Sequence, residues 1–155
     1  MNSIIIRGSK DAGKSTTIRE VCKRLGPQKI YKLIISPSFP SRIDDAKIED
    51  IFNDTFVIEI SGKSILICAG APTEQNKPIT LLIKICIELE IEISFALVAM
   101  RSFERLDDFD TPKELKDLGE IISTEWIRSI PGDYQNTQEW NERISRVSHL
   151  VETNI

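Results

Sequence analysis

The sequence predicts an α/β fold in which helices pack on a mostly parallel sheet. Short apolar runs typical of buried strands alternate along the chain with segments whose apolar residues keep helical spacing. Two β-rich runs, 55–60 and 64–69, are joined by a short turn and predict a hairpin, which adds one antiparallel strand. The 155 residues are enough for one domain with a real core and too few for two. We therefore expect a single domain over residues 1–155.

The first strand and the first helix are predicted at the start of the chain. Residues 3–7 centre on three consecutive isoleucines, a pattern typical of a short buried strand. Beyond residue 15, apolar residues keep helical spacing until a Gly-Pro pair at 26–27 ends the helix. These apolar residues are Ile18, Val21, Cys22 and Leu25. Strand, loop and helix thus follow one another in this order.

The middle of the chain predicts a second strand, a long loop and the hairpin. Residues 29–36 are rich in β-branched and aromatic residues, as strands are. Two prolines and a dense run of charges in the following segment, 37–54, predict an exposed loop. Because the hairpin strand 55–60 must run against its neighbour 64–69, we expect a mixed sheet with 55–60 near an edge.

The second half of the chain predicts three helices and two strands. Residues 78–90 allow either a helix or an alternating strand, and a helix is favoured because a crossover must precede the buried strand 95–100. A capping box at 111–114 predicts a short helix that Gly119 ends. Residues 121–128 are typical of a strand, and 137–152 of an amphipathic helix.

One motif in the chain carries specific chemistry. Residues 8–15 fit the pattern G-x-x-x-x-G-K-[ST] of a phosphate-binding loop, placed between the first strand and the first helix as that loop requires. Its glycines allow successive N–H groups to curl around a phosphate at the start of a helix. Lys14 would add a full charge, and the Ser15 hydroxyl would be a Mg²⁺ ligand. The predicted nucleotide-binding residues are Gly8, Ser9, Lys10, Asp11, Ala12, Gly13, Lys14, Ser15 and Thr16.

A second cation is predicted to assist Lys14 in any phosphoryl chemistry. Arg101 directly follows the buried strand 95–100, and an arginine at such a strand end can reach a γ-phosphate and neutralise developing charge. The alternative is an ordinary surface arginine, which is also our interpretation of Arg105. Lys14 and Arg101 are thus the catalytic candidates.

The acidic partner that usually supports Mg²⁺ is missing from its expected place. The strand 64–69 ends in Ala69-Gly70-Ala71, without a carboxylate. Three acids remain as candidates, namely Glu74, Asp44 and Asp45, and each of them is equally well explained as a solvated loop residue. The sequence leaves this choice open.

Composition limits the partners. The formal net charge of −4 argues against a general nucleic-acid-binding surface. The longest apolar stretches, 79–83 and 93–100, are too short to span a bilayer, and the chain opens on a strand rather than a signal peptide. Three widely spaced cysteines form no metal or redox motif and predict reduced thiols. These observations predict a cytoplasmic protein without membrane contact.

The chain resembles a loose group of small, uncharacterised bacterial and archaeal P-loop proteins. The resemblance rests on residues 4–19, on the hairpin ending in Gly70-Ala71-Pro72, and on the strand ending in Met100-Arg101. It implies a three-layer P-loop NTPase-like fold and ATP binding, and the group carries no agreed activity. The group tends to have an acid where this chain has Ala71, a departure that weakens the expectation of hydrolysis.

Three functional hypotheses follow. The first is a binding protein for a nucleoside triphosphate, with slow hydrolysis or switch behaviour; ATP with Mg²⁺ is favoured because no Asn-Lys-x-Asp guanine motif occurs. The second is a kinase for a small molecule or nucleoside, with Asp44 or Asp45 accepting the proton of the acceptor. The third is a non-catalytic module in which the bound nucleotide shapes the segment 37–54 for a protein partner.

Overall fold

The computed structural model describes residues 1–155 and shows seven strands, five α-helices and two single 3₁₀ turns. The first half contains β1 (Asn2–Gly8), α1 (Lys14–Leu25), β2 (Lys29–Ile34), β3 (Arg42–Asp45), a 3₁₀ turn (Ile48–Asp50), β4 (Thr55–Ile60), β5 (Lys63–Cys68) and α2 (Pro72–Gln75). The second half contains α3 (Ile79–Glu88), β6 (Ile93–Arg101), α4 (Thr111–Leu118), β7 (Ile121–Trp126), a 3₁₀ turn (Tyr134–Asn136) and α5 (Gln138–Asn154). The predicted α/β class is confirmed.

The seven strands form one sheet in the order β3-β2-β4-β5-β6-β1-β7. The pairings β5–β6, β6–β1 and β1–β7 are parallel, whereas β3–β2, β2–β4 and β4–β5 are antiparallel. The predicted hairpin is the β4–β5 pair. The sheet is therefore mixed half and half, and the expected mostly parallel pairing holds only from β5 to β7.

Two predictions about the middle of the chain were wrong. Residues 42–45, expected in an exposed loop, form β3 and pair with β2 at the edge of the sheet. The strand β4, expected near an edge, lies inside the sheet because β2 pairs with its other side. The first error arises because three of the four residues of β3 are charged; charged edge strands resist further pairing and look like loops in a sequence. The second arises because no pattern in the sequence shows that β2 pairs with β4.

Helices cover both faces of the sheet and enclose two separate cores. On one face, α1 and α5 pack over the side chains of β1, β4, β5 and β6 that point to that side, among them Ile4 and Ile6. On the other face, α3 and α4 cover the alternate residues of the same strands, among them Ile5. Both faces of the central strands are thus buried, which explains their continuous apolar runs.

The predicted helix over 78–90 is confirmed as α3, and the strand-like alternation there carries no structural meaning. Ile85 is buried in the second core, whereas Ile87, two residues on, is 67% exposed. The capping box predicted at 111–114 is wrong, because Asp110 is the N-cap of α4 and its side chain accepts from the N–H of Lys113. The hydroxyl of Thr111 donates to Glu104 instead.

All three cysteines are free and buried. Burial raises the pKa of the Cys22 and Cys68 thiols to about 12 and that of Cys86 to about 11. Buried, protonated thiols behave as small apolar residues, so the cysteines belong to the core rather than to a reactive site. None of the helices is long and apolar enough to cross a membrane.

Candidate functional site

The segment between β1 and α1 is a tight loop at the carboxyl end of the parallel strands. Gly8 ends β1, and a Cβ there would lie 2.9 Å from both the Ala12 Cβ and the Ile127 carbonyl oxygen. Gly13 is the N-cap of α1 and takes φ +90°, a left-handed conformation that favours glycine. The two motif glycines are therefore required by the close packing at one position and by the backbone angle at the other.

The N–H groups at the start of α1 are free to bind an anion. The N–H of Ala12 donates to the Ser9 carbonyl within the loop, and that of Thr17 donates to the Gly13 carbonyl to begin the helix. The four N–H groups between them, at residues 13–16, donate to no acceptor in the chain. They point out of the helix N-terminus, where the helix dipole adds positive potential. The loop therefore has the donors that a phosphate needs.

Lys14 lies folded back over the loop. Its Nζ donates to the carbonyl oxygens of Gly8 at 3.0 Å and Ser9 at 2.8 Å, and only 6% of the side chain is exposed. The Nζ also lies 3.8 Å from Oε1 of Glu74. Burial, with the nearby charge of Arg101, lowers the pKa of Lys14, although Glu74 opposes this effect. The ammonium is held close to the free N–H groups and is incompletely neutralised.

The Ser15 side chain links the loop to Ala69, directly after β5, and to Asn53, in the segment before β4. Its Oγ lies 2.8 Å from the Ala69 carbonyl oxygen and 3.0 Å from Oδ1 of Asn53, and it accepts from the Asn53 N–H at 3.2 Å. Gly70 permits this contact, because a Cβ there would lie 2.3 Å from the Asn53 carbonyl oxygen. Asn53 had no signal in the sequence, since it lies in a long segment without a motif.

Besides Asp11 of the loop itself, the acid that reaches the site is Glu74. It belongs to the single-turn helix α2, and its Oε1 lies 3.1 Å from Nε of Arg101 at the end of β6. Asp44 and Asp45 lie in β3 at the far edge of the sheet, where Asp44 pairs with Arg42 at 3.0 Å. Of the three acids left open by the sequence, only Glu74 reaches the loop, and it bridges Lys14 and Arg101.

The residues around Ser15 fit a Mg²⁺ ion that is bound largely through phosphate and water. The hydroxyl of Ser15 and the Asn53 amide oxygen are hard oxygen donors of the kind that Mg²⁺ prefers. No cluster of three or more His, Cys, Asp or Glu side chains suited to a metal occurs in the structure. A dedicated metal cage is therefore absent, as is usual where Mg²⁺ accompanies a nucleotide.

A further cation, Arg143 of α5, lies on the other side of the loop and was missed by sequence reasoning. Its guanidinium donates to the Arg128 carbonyl at 2.7 Å and to the Thr17 hydroxyl at 3.4 Å, and Nη1 lies 3.9 Å from where a Cβ on Gly13 would be. The residue is 5% exposed and forms no ion pair, and burial lowers its pKa. The only signal was an arginine on the otherwise apolar face of α5, next to Trp140.

The structure brings the predicted binding residues 8–16 together with Arg101 and Glu74. Six of the predicted residues, Lys10, Asp11, Gly13, Lys14, Ser15 and Thr16, line a cavity of about 370 Å³ above the loop, together with Arg101, Glu74, Asn53 and Phe52. Comparisons with protein family models, with curated proteins and with solved structures found no match to this chain. The resemblance to small P-loop proteins stays a prediction, and the functional argument rests on the geometry of the site.

Proposed function

We propose that this chain binds a nucleoside triphosphate through residues 8–16, and that its domain is a three-layer P-loop NTPase-like fold. The observation that carries the proposal is the set of four free N–H groups at 13–16, next to the buried ammonium of Lys14. Donors and charge converge on a cavity large enough for a triphosphate. A neutral ligand would leave this concentration of positive potential unused.

The roles of the residues follow from their positions. The N–H groups of 13–16 would surround the β-phosphate, Lys14 would contact the β- and γ-phosphates, and Arg101 would contact the γ-phosphate from the end of β6. Ser15, with Asn53 beside it, would hold Mg²⁺, which neutralises phosphate charge when bound. ATP is the favoured nucleotide because the chain has no guanine motif.

Slow hydrolysis or switching fits the site better than fast turnover. Ser15 is bordered by a carbonyl and an amide oxygen, and no acid contacts it to orient an attacking water. Glu74, which reaches the loop from α2, is paired with two cations. We also propose a cytoplasmic location, which is supported by three unpaired thiols in one chain.

Calorimetric titration with ATP, ADP and GTP in the presence of Mg²⁺ tests the proposal. We expect ATP to bind, and Lys14→Ala to weaken its affinity by about tenfold to a hundredfold because charged hydrogen bonds are lost. Lys116→Ala, an exposed lysine of α4 without an ion pair, is the matched control and should bind as the wild type does. Absence of binding for all three nucleotides at millimolar concentration would refute the proposal.

A second candidate function is a nucleotide-regulated interaction module. It is favoured by the hydrogen bonds between Ser15 and Asn53, since Asn53 belongs to the segment 37–54 that was predicted to meet a protein partner. A ligand bound to the Ser15 hydroxyl would break its hydrogen bonds with Asn53 and so change the conformation of the segment 37–54. Limited proteolysis of 46–54 with and without ATP tests this function, and identical cleavage in both conditions would count against it.

A further inference from the structure

A second cavity of about 430 Å³ lies on the far side of the Glu74–Arg101 pair from the loop cavity. Lys10, Glu74 and Arg101 line both cavities, so the two are neighbours separated only by these side chains. The second cavity, here called the side pocket, has the size of a small-molecule site. It shares Ser9, Lys10 and Arg101 with the proposed nucleotide site, whereas Phe103, Arg105 and Leu106 belong to the side pocket alone.

The side pocket is positively charged in a chain that is acidic overall. Lys10, Arg101 and Arg105 line it, against the single acid Glu74, whereas the whole chain carries a net charge of −4. Glu74 is already paired with Arg101, and neither Lys10 nor Arg105 has an acid within 4 Å. Two cations without partners therefore face the same cavity. Such a concentration of unpaired positive charge attracts an anionic ligand.

Apolar side chains border the same cavity. Phe103 and Leu106 line it and are 71% and 46% exposed, so both are available to a ligand. Both residues lie in the segment between β6 and α4. Within that segment, the Glu104 carboxylate accepts hydrogen bonds from the N–H and the hydroxyl of Thr111, at the start of α4. An exposed ring beside cations suits a ligand with a flat or apolar part as well as a charge.

We propose that the side pocket binds a second small molecule, which carries a phosphomonoester group and a ring. The guanidinium of Arg105 can donate paired hydrogen bonds to a phosphate, the ammonium of Lys10 adds a second charge, and Phe103 would pack against the ring. The shared residues Lys10 and Arg101 place this ligand next to the terminal phosphate of the proposed nucleotide. The placement beside a nucleotide rests on the proposed function, whereas binding in the side pocket does not.

Calorimetry with phenyl phosphate tests the proposal, with inorganic phosphate and phenol as probes for the two halves of that ligand. We expect phenyl phosphate to bind more tightly than either. Arg105→Gln should weaken its binding by about tenfold, the effect of losing one charged contact. Arg42→Gln, an exposed arginine of β3 at the far edge of the sheet, is the matched control and should leave binding unchanged. Thermal unfolding of both variants establishes that they are folded.

To distinguish binding in the side pocket from binding in the loop cavity, the phenyl phosphate titration is repeated twice. One repeat uses the wild type saturated with a non-hydrolysable ATP analogue, and the other uses Lys14→Ala. Binding of phenyl phosphate that survives both conditions and depends on Arg105 supports the side pocket. Binding that is lost in Lys14→Ala but unchanged in Arg105→Gln places the probe in the loop and overturns the proposal, as does no binding at all. If the ATP analogue fails to bind while Arg105-dependent binding persists, the proposed nucleotide function falls and the side pocket stands.

Discussion

The two sides of the loop hold their positive charge in different ways. On the side of β6, Lys14 and Arg101 share the carboxylate of Glu74, at 3.8 and 3.1 Å. On the side of α5, the buried guanidinium of Arg143 has no acid within 4 Å and relies on a carbonyl, a hydroxyl and the ring of Trp140. The first arrangement can release its cations by moving one acid, whereas the second is fixed by packing.

This difference predicts which part of the site rearranges when a ligand binds. An acid paired with two cations competes with an incoming phosphate for the same charges. A guanidinium bound to neutral groups keeps its charge and does not have to move. We therefore expect binding to rearrange the Glu74 side, and stability to depend on the Arg143 side.

The largest expected effect is on ligand affinity in Lys14→Met. Losing the ammonium should weaken ATP binding by about a hundredfold, while the free energy of unfolding stays the same or rises. The reason is that Lys14 is buried with an incompletely compensated charge, and that the carbonyls of Gly8 and Ser9 keep other donors, from Ser102 and Ala12. Titration calorimetry and urea unfolding measure the two effects. A marked loss of stability would contradict the comparison.

A stability effect is expected in Arg143→Met on the opposite side. Removing the guanidinium breaks a charge-assisted hydrogen bond to the partly buried Arg128 carbonyl and should cost about 1–3 kcal/mol of unfolding free energy. Arg128→Met is the matched control, because that side chain is 83% exposed and its surface ion pair contributes little. Urea unfolding compares the variants, and equal stabilities would show that Arg143 is not a structural cation.

A smaller effect is expected in Glu74→Gln. The variant frees Lys14 and Arg101 from a competing carboxylate, so ATP should bind several-fold more tightly, in the range of a partly exposed ion pair. Glu152→Gln, an exposed acid of α5 without an ion pair, has the same change in net charge and controls for long-range electrostatics. Weaker binding in Glu74→Gln alone would instead make the carboxylate part of the ligand site.

The smallest effect concerns pH. The pKa of Lys14 in the folded protein lies below the usual 10.5, so on raising the pH the folded form loses this proton before the unfolded form does. Below the folded pKa, the free energy of unfolding is reduced by the full cost of burying the charged ammonium. Between that pKa and 10.5 the folded form loses the proton, so this cost disappears. The wild type should therefore gain stability relative to Lys14→Met as the pH rises in the alkaline range. Urea unfolding at a series of pH values checks this, and a constant difference would argue against a lowered pKa.

The sequence predicted the contiguous part of the site and Arg101, and missed most of what the fold adds from a distance. Residues 8–16 are contiguous and contain one motif, so their spacing alone brings them together, and Arg101 was found because it ends a recognisable buried strand. Glu74 seemed too late in the chain because the short helix α2, which turns it back toward Lys14, has no signal of its own. Asn53 and Arg143 reach the loop across 38 and 126 residues, distances over which local patterns carry no information.

The fold shows the same limit. Apolar periodicity located the central strands and the main helices, because burial on both faces leaves a strong pattern. It could not locate β3, since an edge strand with charged residues lacks that pattern. Periodicity also could not place β4 inside the sheet, because it does not show that β2 pairs with the other side of β4.

The hydrogen bonds of Ser15 have a consequence for the time course of binding. The hydroxyl is engaged by Ala69 and Asn53, and Asn53 is backed by the close contact with Gly70. A ligand that needs this hydroxyl can reach the loop quickly but must then wait for these bonds to open. The observed rate of association should therefore level off as the ligand concentration rises, and the limiting rate should be the same for every triphosphate. The chain itself would then set the speed of binding.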